Sequence, residues 1–459
     1  MRLTWSQPED LVAAEFAALR EQGVEERVLA PIEQRWSEAG GSTVLAPSGA
    51  SAESASPEVR ALARTVLDEL QGLQVPSAEE PDEWERILAL LPPASSGSGA
   101  AATFERVHGA WLGRSAGCLL GKPVEKIPRE GIEEIARSTG NWPIRRYFTA
   151  VGLADEVADR WPWNRRSAPT SLLENIDGMP EDDDLNFPIL ALDLIETHGS
   201  ALTTDDVAQA WLAALPAGRV FTAERAAYRN ILDARPVPET ATHLNPFREW
   251  IGALIRADVH GWAHPGDVRA AAASAWIDAR LSHSRNGIYG EMWAAALCAA
   301  SLVAASVDEV LDAADAVIPP RSRLAAAVEV GRDLGRGIAD GTLTEAAALD
   351  RLHAEFEGMH WVHTLNNAAL AACALQAYGD DFGAAVALAV AGGWDTDSVG
   401  ATVGSVVGGL VGAGGIGEAW TAPLRDRIST SMPGGADRSI TELAQRTLRL
   451  AKPTAGGSR

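Results

Sequence analysis

The stretch Gly392–Ser398 reads GGWDTDS and places two carboxylates and two hydroxyls within consecutive residues, directly after a Gly-Gly pair. Asp395 and Asp397 are separated by one residue, so a turn or an extended backbone can direct both carboxylates at one point. Oxygen ligands gathered in this way suit Mg²⁺, Mn²⁺ or Ca²⁺ better than zinc. The alternative is an ordinary helix start, in which Asp397 or Ser398 is the N-cap and has no further role.

The run that follows, from Val399 to Ala413, contains no charged residue and repeats glycine at Gly400, Gly404, Gly408 and Gly412. On a helix these positions lie on one side, although each interior glycine costs about 1 kcal/mol relative to alanine. We therefore predict that a second helix packs almost against this backbone and holds the preceding turn rigid, as a metal site requires. A long uncharged run with G-x-x-x-G spacing is also typical of a membrane span. The high glycine content and the lack of a second candidate span favour a buried helix.

A second four-residue glycine repeat lies in the helical pattern from Phe104 to Leu120 and just beyond it, at Gly109, Gly113, Gly117 and Gly121. It ends in a loop with one acid, Glu125. Upstream, residues 92–99 (PPASSGSG) have the composition of a linker. We therefore divide the chain into an N-terminal helical extension, residues 1–93, and a main domain, residues 94–459. No chemical motif lies in the extension, so we expect a chain that starts near Ala100 to stay folded and keep the metal site.

The composition excludes several classes of partner. The 459 residues carry a formal charge of −23 at pH 7, which argues against nucleic acid and anionic membranes as partners. The three cysteines, Cys118, Cys298 and Cys373, are far apart and form no C-x-x-C motif. At least one must stay unpaired, so the sequence predicts a reducing, cytoplasmic location.

A run of four acids, Glu181 to Asp184, lies between apolar residues and leads into the core-like segment Phe187 to Leu194. Acidic runs are usually solvated surface, but the apolar flanks favour a different interpretation here. Because Pro188 is tolerated without loss of a hydrogen bond only in the first helical turn, the helix is predicted to begin near Asp184. The two acidic helix starts are therefore predicted to meet around shared cations, which would cancel the repulsion between the carboxylates.

The rest of the chain predicts an all-α fold, because alanine-rich helical patterns dominate and alternating strand patterns are rare. Residues 141–166 are dense in aromatics and arginines, including Trp142, Arg145, Arg165 and Arg166. Such side chains suit a phosphate-bearing nucleotide, and the alternative is a loop that its aromatics anchor to the core. The H-x-x-H at His360 and His363 lacks the further ligands of a zinc site, which favours core polar groups near a cavity.

Taken together, the G-x-x-x-G-x-x-x-G-x-P-V-E pattern of residues 113–125, the acid run and GGWDTDS resemble the ADP-ribosylglycohydrolase family, in its dinitrogenase-reductase-activating glycohydrolase type. The resemblance covers roughly residues 104 to 420. It implies an all-α, compact orthogonal multi-helix bundle with two Mg²⁺ ions in a cleft, Mn²⁺ being the alternative. The implied reaction is hydrolysis of an N- or O-glycosidic bond at the ribose of an ADP-ribose conjugate, by water positioned at the metals.

The resemblance also assigns residues. The implied metal ligands are Glu181, Asp182, Asp183, Asp395, Asp397 and Ser398. The implied catalytic residues are Glu125, Asp183 and Asp397. The predicted substrate contacts are Gly121, His283, Asn286, Gly287, Tyr289 and Gly393.

The sequence departs from the family in three places. The family usually has Thr-Asp-Asp-Thr in its first acidic motif, whereas Glu181 and Asp184 stand at the two threonines here. Cys118 stands where an aspartate is frequent. The extra carboxylates make the pocket more anionic, which favours tighter metal binding or a different number of ions.

Three functions therefore stay open. The first is hydrolysis of an ADP-ribose conjugate, either a small molecule or an ADP-ribosylated protein. The second is hydrolysis of another small N-riboside or nucleotide-like metabolite. The third is a non-catalytic protein that keeps the fold only to bind a ligand, and the intact acid set argues against it.

Overall fold

The computed structural model describes residues 3–46, 48–93 and 101–451. The tail from Pro453 to Arg459 and nearly all of the predicted linker therefore lie outside the described residues. The described chain is 62% helical, with 24 α-helices and one two-stranded sheet. This confirms the prediction of an all-α fold.

The N-terminal extension contains α1 (Pro8–Glu21), α2 (Glu26–Glu38), α3 (Pro57–Gln71) and α4 (Trp84–Leu90). The body contains α5 (Phe104–Gly121), α6 (Arg129–Ser138), α7 (Asp155–Arg160), α8 (Ala168–Ser171), α9 (Asp183–His198), α10 (Thr204–Ala214), α11 (Thr222–Leu232), α12 (Glu239–Thr242), α13 (Asp258–Trp262), α14 (Val268–Ala279), α15 (Asn286–Ser301), α16 (Val307–Asp315), α17 (Arg323–Ala339), α18 (Glu345–Glu355), α19 (Thr364–Tyr378), α20 (Phe382–Ala391), α21 (Thr396–Val411), α22 (Ala413–Ile416), α23 (Glu418–Thr421) and α24 (Ile440–Leu450). Short 3₁₀ turns lie at Lys122–Val124, Gly199–Ala201, Ala217–Arg219, Leu254–Arg256 and Ala422–Leu424. The strands β1 (Arg427–Ser429) and β2 (Asp437–Ser439) pair antiparallel.

The two glycine repeats face each other, because α5 and α21 run antiparallel in backbone contact at the centre of the fold. A Cβ on Gly113 would lie 2.0 Å from the carbonyl oxygen of Gly404. A Cβ on Gly117 would lie 1.9 Å from that of Gly400. No other residue fits at these positions, so the prediction of a helix packed almost against the backbone is confirmed.

This helix pair positions the loops at its end. Thr396 Oγ1 donates a hydrogen bond of 2.9 Å to the carbonyl oxygen of Gly121, where α5 ends and α21 begins. The residues just after Gly121 are therefore held beside the GGWDTDS turn. The uncharged run itself is a buried helix, and across the described ranges no helix is both long and apolar enough to cross a membrane.

Substituting alanine at the centre of this helix pair should be strongly destabilising. Gly113→Ala forces a methyl group into the Gly404 backbone, and overpacking of this kind costs about 1–3 kcal/mol or more. We expect the upper end, since neither helix can move without disturbing the other glycine contacts. Thermal melting measures the effect. Gly218→Ala is the control, because a Cβ there meets nothing within 4 Å, and an equal loss in both variants would contradict this account.

The N-terminal extension packs onto the body through buried ion pairs. Glu15 and Arg248 are both buried and lie 2.9 Å apart. Glu80 accepts hydrogen bonds from Arg323, with an Nη2–Oε2 distance of 3.0 Å. The Trp5 ring lies edge-on against aromatic rings of the body. The boundary at residue 93 stays a prediction, but these contacts argue against an extension that can be removed without effect.

Candidate active site

The first acidic motif forms the entrance of α9. Asp182 is its N-cap, with an extended backbone, and its Oδ1 accepts the backbone N–H of Asp184 at 2.9 Å. The helix begins at Asp183, one residue before the predicted start. Pro188 has no N–H for the Asp184 carbonyl, and Arg114 Nε donates to that carbonyl at 2.7 Å instead. The proline therefore leaves the Asp184 carbonyl without a helical N–H partner, and Arg114 of the central helix α5 supplies the missing donor.

The second acidic motif forms the entrance of α21. Gly393 and Trp394 have φ angles of +74° and +61°, a left-handed turn that favours glycine at the first of them. Asp395 is the N-cap but makes no side-chain cap hydrogen bond. Its backbone N–H donates to Asn367 Oδ1 at 3.2 Å. The alternative of an ordinary cap at Asp397 does not describe this turn, because the N-cap is Asp395 and its carboxylate is not used for capping.

Both entrances open onto one cavity of about 600 Å³. The side chains of the two acidic motifs and of the loop after α5 that line it are Glu125, Glu181, Asp182, Asp183, Asp184, Asp395, Asp397 and Ser398, and Glu224 of α11 is a further acid of the wall. The structure thus brings together every predicted metal ligand and every predicted catalytic residue. What these residues bind stays a prediction.

Glu125 is held by two neighbours. Asn164 Nδ2 donates to its Oε2 at 2.6 Å, and Lys126 Nζ lies 3.1 Å from its Oε1. The backbone N–H of Asn164 also donates to the carbonyl of Pro123 at 3.0 Å, which fixes the loop that carries Glu125. The carboxylate is therefore held by the next residue of its own loop and by Asn164 of a different loop.

Three aspartates of the cavity have no basic side chain in direct contact. Burial and the nearby Glu125 raise the pKa of Asp397 to about 7. Burial, followed by Asp182 and Asp397, raises the pKa of Asp183 well above its usual range. Burial and Asp397 do the same to the pKa of Asp395. Within the described ranges no basic side chain forms a salt bridge with Asp183, Asp395 or Asp397, and the Lys122 charge only partly offsets the rise in the pKa of Asp183 and Asp397.

Two other acids already have basic partners. The Lys122 ammonium forms an ion pair with Asp182 Oδ2, and both side chains are buried. Burial by itself would raise the pKa of Asp182, but the Lys122 charge and hydrogen bond lower it. Glu181 Oε2 lies 3.1 Å from Arg219 Nη2. The first acidic motif is therefore partly neutralised by the chain itself.

Asp184 has a buried basic partner on α5. Its Oδ1 lies 3.4 Å from Arg114 Nη2, and the same guanidinium lies 2.7 Å from Asp258 Oδ2. The Cys118 thiol and the Ser398 hydroxyl lie 3.7 Å and 3.4 Å from Asp184 Oδ2 and can both donate to it. Ser398, a predicted metal ligand, is thus hydrogen-bonded to Asp184. So is Cys118, which stands where the family frequently has an aspartate.

The residues present fit a divalent cation of the Mg²⁺ or Mn²⁺ kind. The unpaired carboxylates offer only oxygen, and no histidine lines the cavity among the described residues. Cys118, Asp182 and Asp184 also approach within 4.8 Å of one another, but cations of the chain already contact both of these carboxylates. A second such group, His260, Asp278 and Glu291, lies in the core around Arg256.

The rest of the cavity wall is formed by basic and aromatic side chains and by residues of the N-terminal extension. The basic residues are Lys126, Arg165, Arg166 and Arg219, and the aromatic ones are Phe221 and Trp361. Thr4, Trp5 and Ser48 of the extension also line it. The aromatic and arginine-rich segment 141–166 does not lie at this cavity as a whole, because Trp142 and Arg145 line a separate cavity near Trp420.

The predicted substrate contacts do not line this cavity. Gly121 packs against the backbone of α21, and Gly393 lies beside the Arg129 backbone. Gly287 contacts the Arg248 carbonyl, and Asn286 Nδ2 donates to Glu249 at 2.8 Å. Tyr289 donates to the Pro81 carbonyl of the extension at 2.5 Å. His283 lies 4.0 Å from Glu224, one layer behind the cavity wall.

The histidines of the H-x-x-H pattern are core polar groups next to the extension. His363 Nε2 lies 3.0 Å from Glu21 Oε2 of α1. His360 stacks on Trp250 with ring centroids 4.3 Å apart. Neither joins a group of metal-ligating side chains in the part of the chain that the structure describes.

Several lining residues were not predicted from the sequence. Lys122 directly follows the last glycine of the repeat and precedes Glu125 by three positions, so its place between two motif residues was a usable signal. Asn164 and Arg219 lie in irregular segments and carry no such signal. The same holds for Thr4 and Trp5, which reach the cavity only through packing of the extension.

The fold and site define a mainly α-helical protein with an acidic cavity between two helix starts. The family model described as ADP-ribosylglycohydrolase matches residues 99–456, and the chain belongs to that family. The N-terminal extension lies outside this match. A solved structure described as an ADP-ribosylglycohydrolase-related protein complex is similar at 19% identity and a TM-score of 0.45, over 76% of this chain and 99% of that one. No curated protein matches the sequence.

Proposed function

We propose that this chain hydrolyses a ribosyl N- or O-glycosidic bond of an ADP-ribose conjugate, with Mg²⁺ or Mn²⁺ held among its acids. The observation that carries the proposal is the convergence of Glu125, Asp183, Asp395 and Asp397 on one cavity. Its volume of about 600 Å³ is in the range of small-molecule sites. Membership of the family supports a glycosidic hydrolase.

The basic wall supports a phosphate-bearing substrate. Arg165, Arg166 and Lys126 line the same cavity as the acids, although the whole chain is strongly acidic. Guanidinium groups bind phosphate oxygens in pairs of parallel hydrogen bonds. A ligand that places a ribose among the acids and a diphosphate against these arginines matches both halves of the cavity.

The acids of the cavity can divide the proposed chemistry among them. A bound divalent cation would orient the ribose hydroxyls and lower the pKa of a water molecule. Glu125, held by Asn164 and Lys126, accepts a proton from the attacking water. The carboxylates of Asp183 and Asp397 stabilise the positive charge that develops at the anomeric carbon.

A substrate screen tests the proposal. The full chain is incubated with Mg²⁺ and ADP-ribosyl-arginine, ADP-ribosyl-serine, O-acetyl-ADP-ribose or simple N-ribosides, and the released sugar is separated by chromatography. We expect release from an ADP-ribose conjugate, and loss of that release in Asp183→Asn. Turnover of simple ribosides alone would select the second function. Ligand-induced stabilisation without any turnover would select the non-catalytic one.

The arginines give a separate prediction. Arg166→Ala should raise the KM for an ADP-ribose conjugate about 10- to 100-fold, the effect of losing one or two charge-assisted hydrogen bonds. Arg145→Ala is the matched control, because Arg145 belongs to the same segment but lines the separate cavity. Steady-state kinetics on both variants measures the effect. An unchanged KM in Arg166→Ala would contradict the proposal that this arginine binds a phosphate of the substrate.

A further inference from the structure

Lys122 is a buried cation inside the acidic centre. It is the first residue after α5, in the short 3₁₀ turn Lys122–Val124, and it is only 6% exposed. Its Nζ forms an ion pair with Asp182 and also lies 3.4 Å from the backbone carbonyl of Glu181. A buried ammonium needs such partners, because its transfer out of water is otherwise very unfavourable.

The pair with Lys122 uses the remaining oxygen of Asp182. Asp182 Oδ1 accepts the backbone N–H of Asp184, and Oδ2 accepts the Lys122 ammonium. Both oxygens of this predicted metal ligand therefore already have donors from the chain. A divalent ion on Asp182 would have to displace the ammonium or lie close to it, and two cations sharing one carboxylate repel each other.

The other aspartates of the acidic centre have no such ion pair. No side-chain cation within the described ranges forms a salt bridge with Asp183, Asp395 or Asp397, as noted above. A direct cationic partner is therefore present at Asp182 and absent, among the described residues, at the other three aspartates.

We propose that the Lys122 ammonium takes the place of one of the two cations, so that this chain binds a single divalent ion through Asp183, Asp395 and Asp397. The inference rests on the proposed metal-dependent function and concerns how many ions that site holds. Lys122 acts as a positioning residue, which holds the Asp182 carboxylate beside the remaining ion.

The experiment is a metal titration of the full chain, with Mn²⁺ alone as the probe. Isothermal titration calorimetry and electron paramagnetic resonance both count bound ions without any substrate. We expect one Mn²⁺ per chain in the wild type and no magnetic coupling between two ions. We expect two per chain in Lys122→Met, which keeps the length of the side chain but removes its charge, and one in Lys122→Arg.

Each outcome decides the inference. Two Mn²⁺ ions in the wild type would overturn it whatever the variants do, so misfolding of Lys122→Met leaves the test intact. One ion in a correctly melting Lys122→Met would show that the ammonium does not exclude the second. A chain that binds one Mn²⁺ but hydrolyses nothing supports this inference and overturns the catalytic proposal. A chain that binds none overturns both.

Discussion

We expect Asp397→Asn to abolish both activity and stabilisation by Mg²⁺, while leaving the metal-free protein at least as stable as wild type. The variant removes a ligand from a group of carboxylates that repel one another, so in the absence of metal it relieves repulsion. Wild type should gain about 2.7 kcal/mol at a Mg²⁺ concentration 100 times its dissociation constant. Activity should fall by at least about 100-fold, since the metal-ligand role and the charge-stabilising role of Asp397 are lost together.

The pH dependence follows from the same carboxyls. Burial and Glu125 raise the pKa of Asp397 to about 7, above its value in the unfolded chain. An acid with a raised folded pKa contributes stability below its unfolded pKa, and this contribution is lost as pH rises through the folded pKa. The metal-free wild type should therefore lose stability between about pH 4 and pH 7. Stabilisation by Mg²⁺ should grow over the same interval, because bound carboxylates must be deprotonated.

The measurement is a set of melting curves for wild type and Asp397→Asn, each with EDTA and with Mg²⁺, at several pH values. Thr203→Ala is the control, since Thr203 caps α10 through a capping box. That variant should lose about 1 kcal/mol with or without metal. If wild type shows no metal-dependent shift, or if Asp397→Asn behaves like the cap variant, the acids are structural and the metal-centre account fails.

The second large effect is expected in the N-terminal extension. Glu15→Ala should destabilise the protein by about 3–5 kcal/mol, because it leaves the Arg248 guanidinium buried without its counter-charge. Glu83→Ala is the matched control in the same extension, since its pair with Arg86 is exposed on both sides. That exposed pair contributes about 0–1 kcal/mol. Chemical denaturation of both variants measures the difference.

Removal of residues 1–93 extends this prediction. The truncated chain would lose Glu15 and Glu80, the extension's partners of Arg248 and Arg323, and the Thr4 and Trp5 side chains that line the cavity. We therefore expect it to aggregate or melt far below the full chain, which reverses the expectation drawn from the linker alone. A truncated chain that melts cooperatively and still binds Mn²⁺ would restore the two-domain description.

Local spacing determined the helical framework. A glycine at every fourth residue specifies one face of a helix regardless of the rest of the chain, and the structure places the two repeats in backbone contact at Gly113 and Gly404. Acids next to an apolar helix start likewise predicted the two entrances at Asp183 and Thr396. These features depend on residues a few positions apart, so pattern and propensity are sufficient to find them.

Only the tertiary structure decided which side chains reach the cavity. Lys122 pairs with Asp182, 60 residues away, and Thr4 arrives from an extension that carries no motif. His283 lies behind the wall although its loop has the polar composition of a site. Arg145 and Arg166 belong to one segment but line different cavities. The physical reason is that spacing along a chain specifies the face of a helix, whereas the neighbours of that face depend on how distant helices pack.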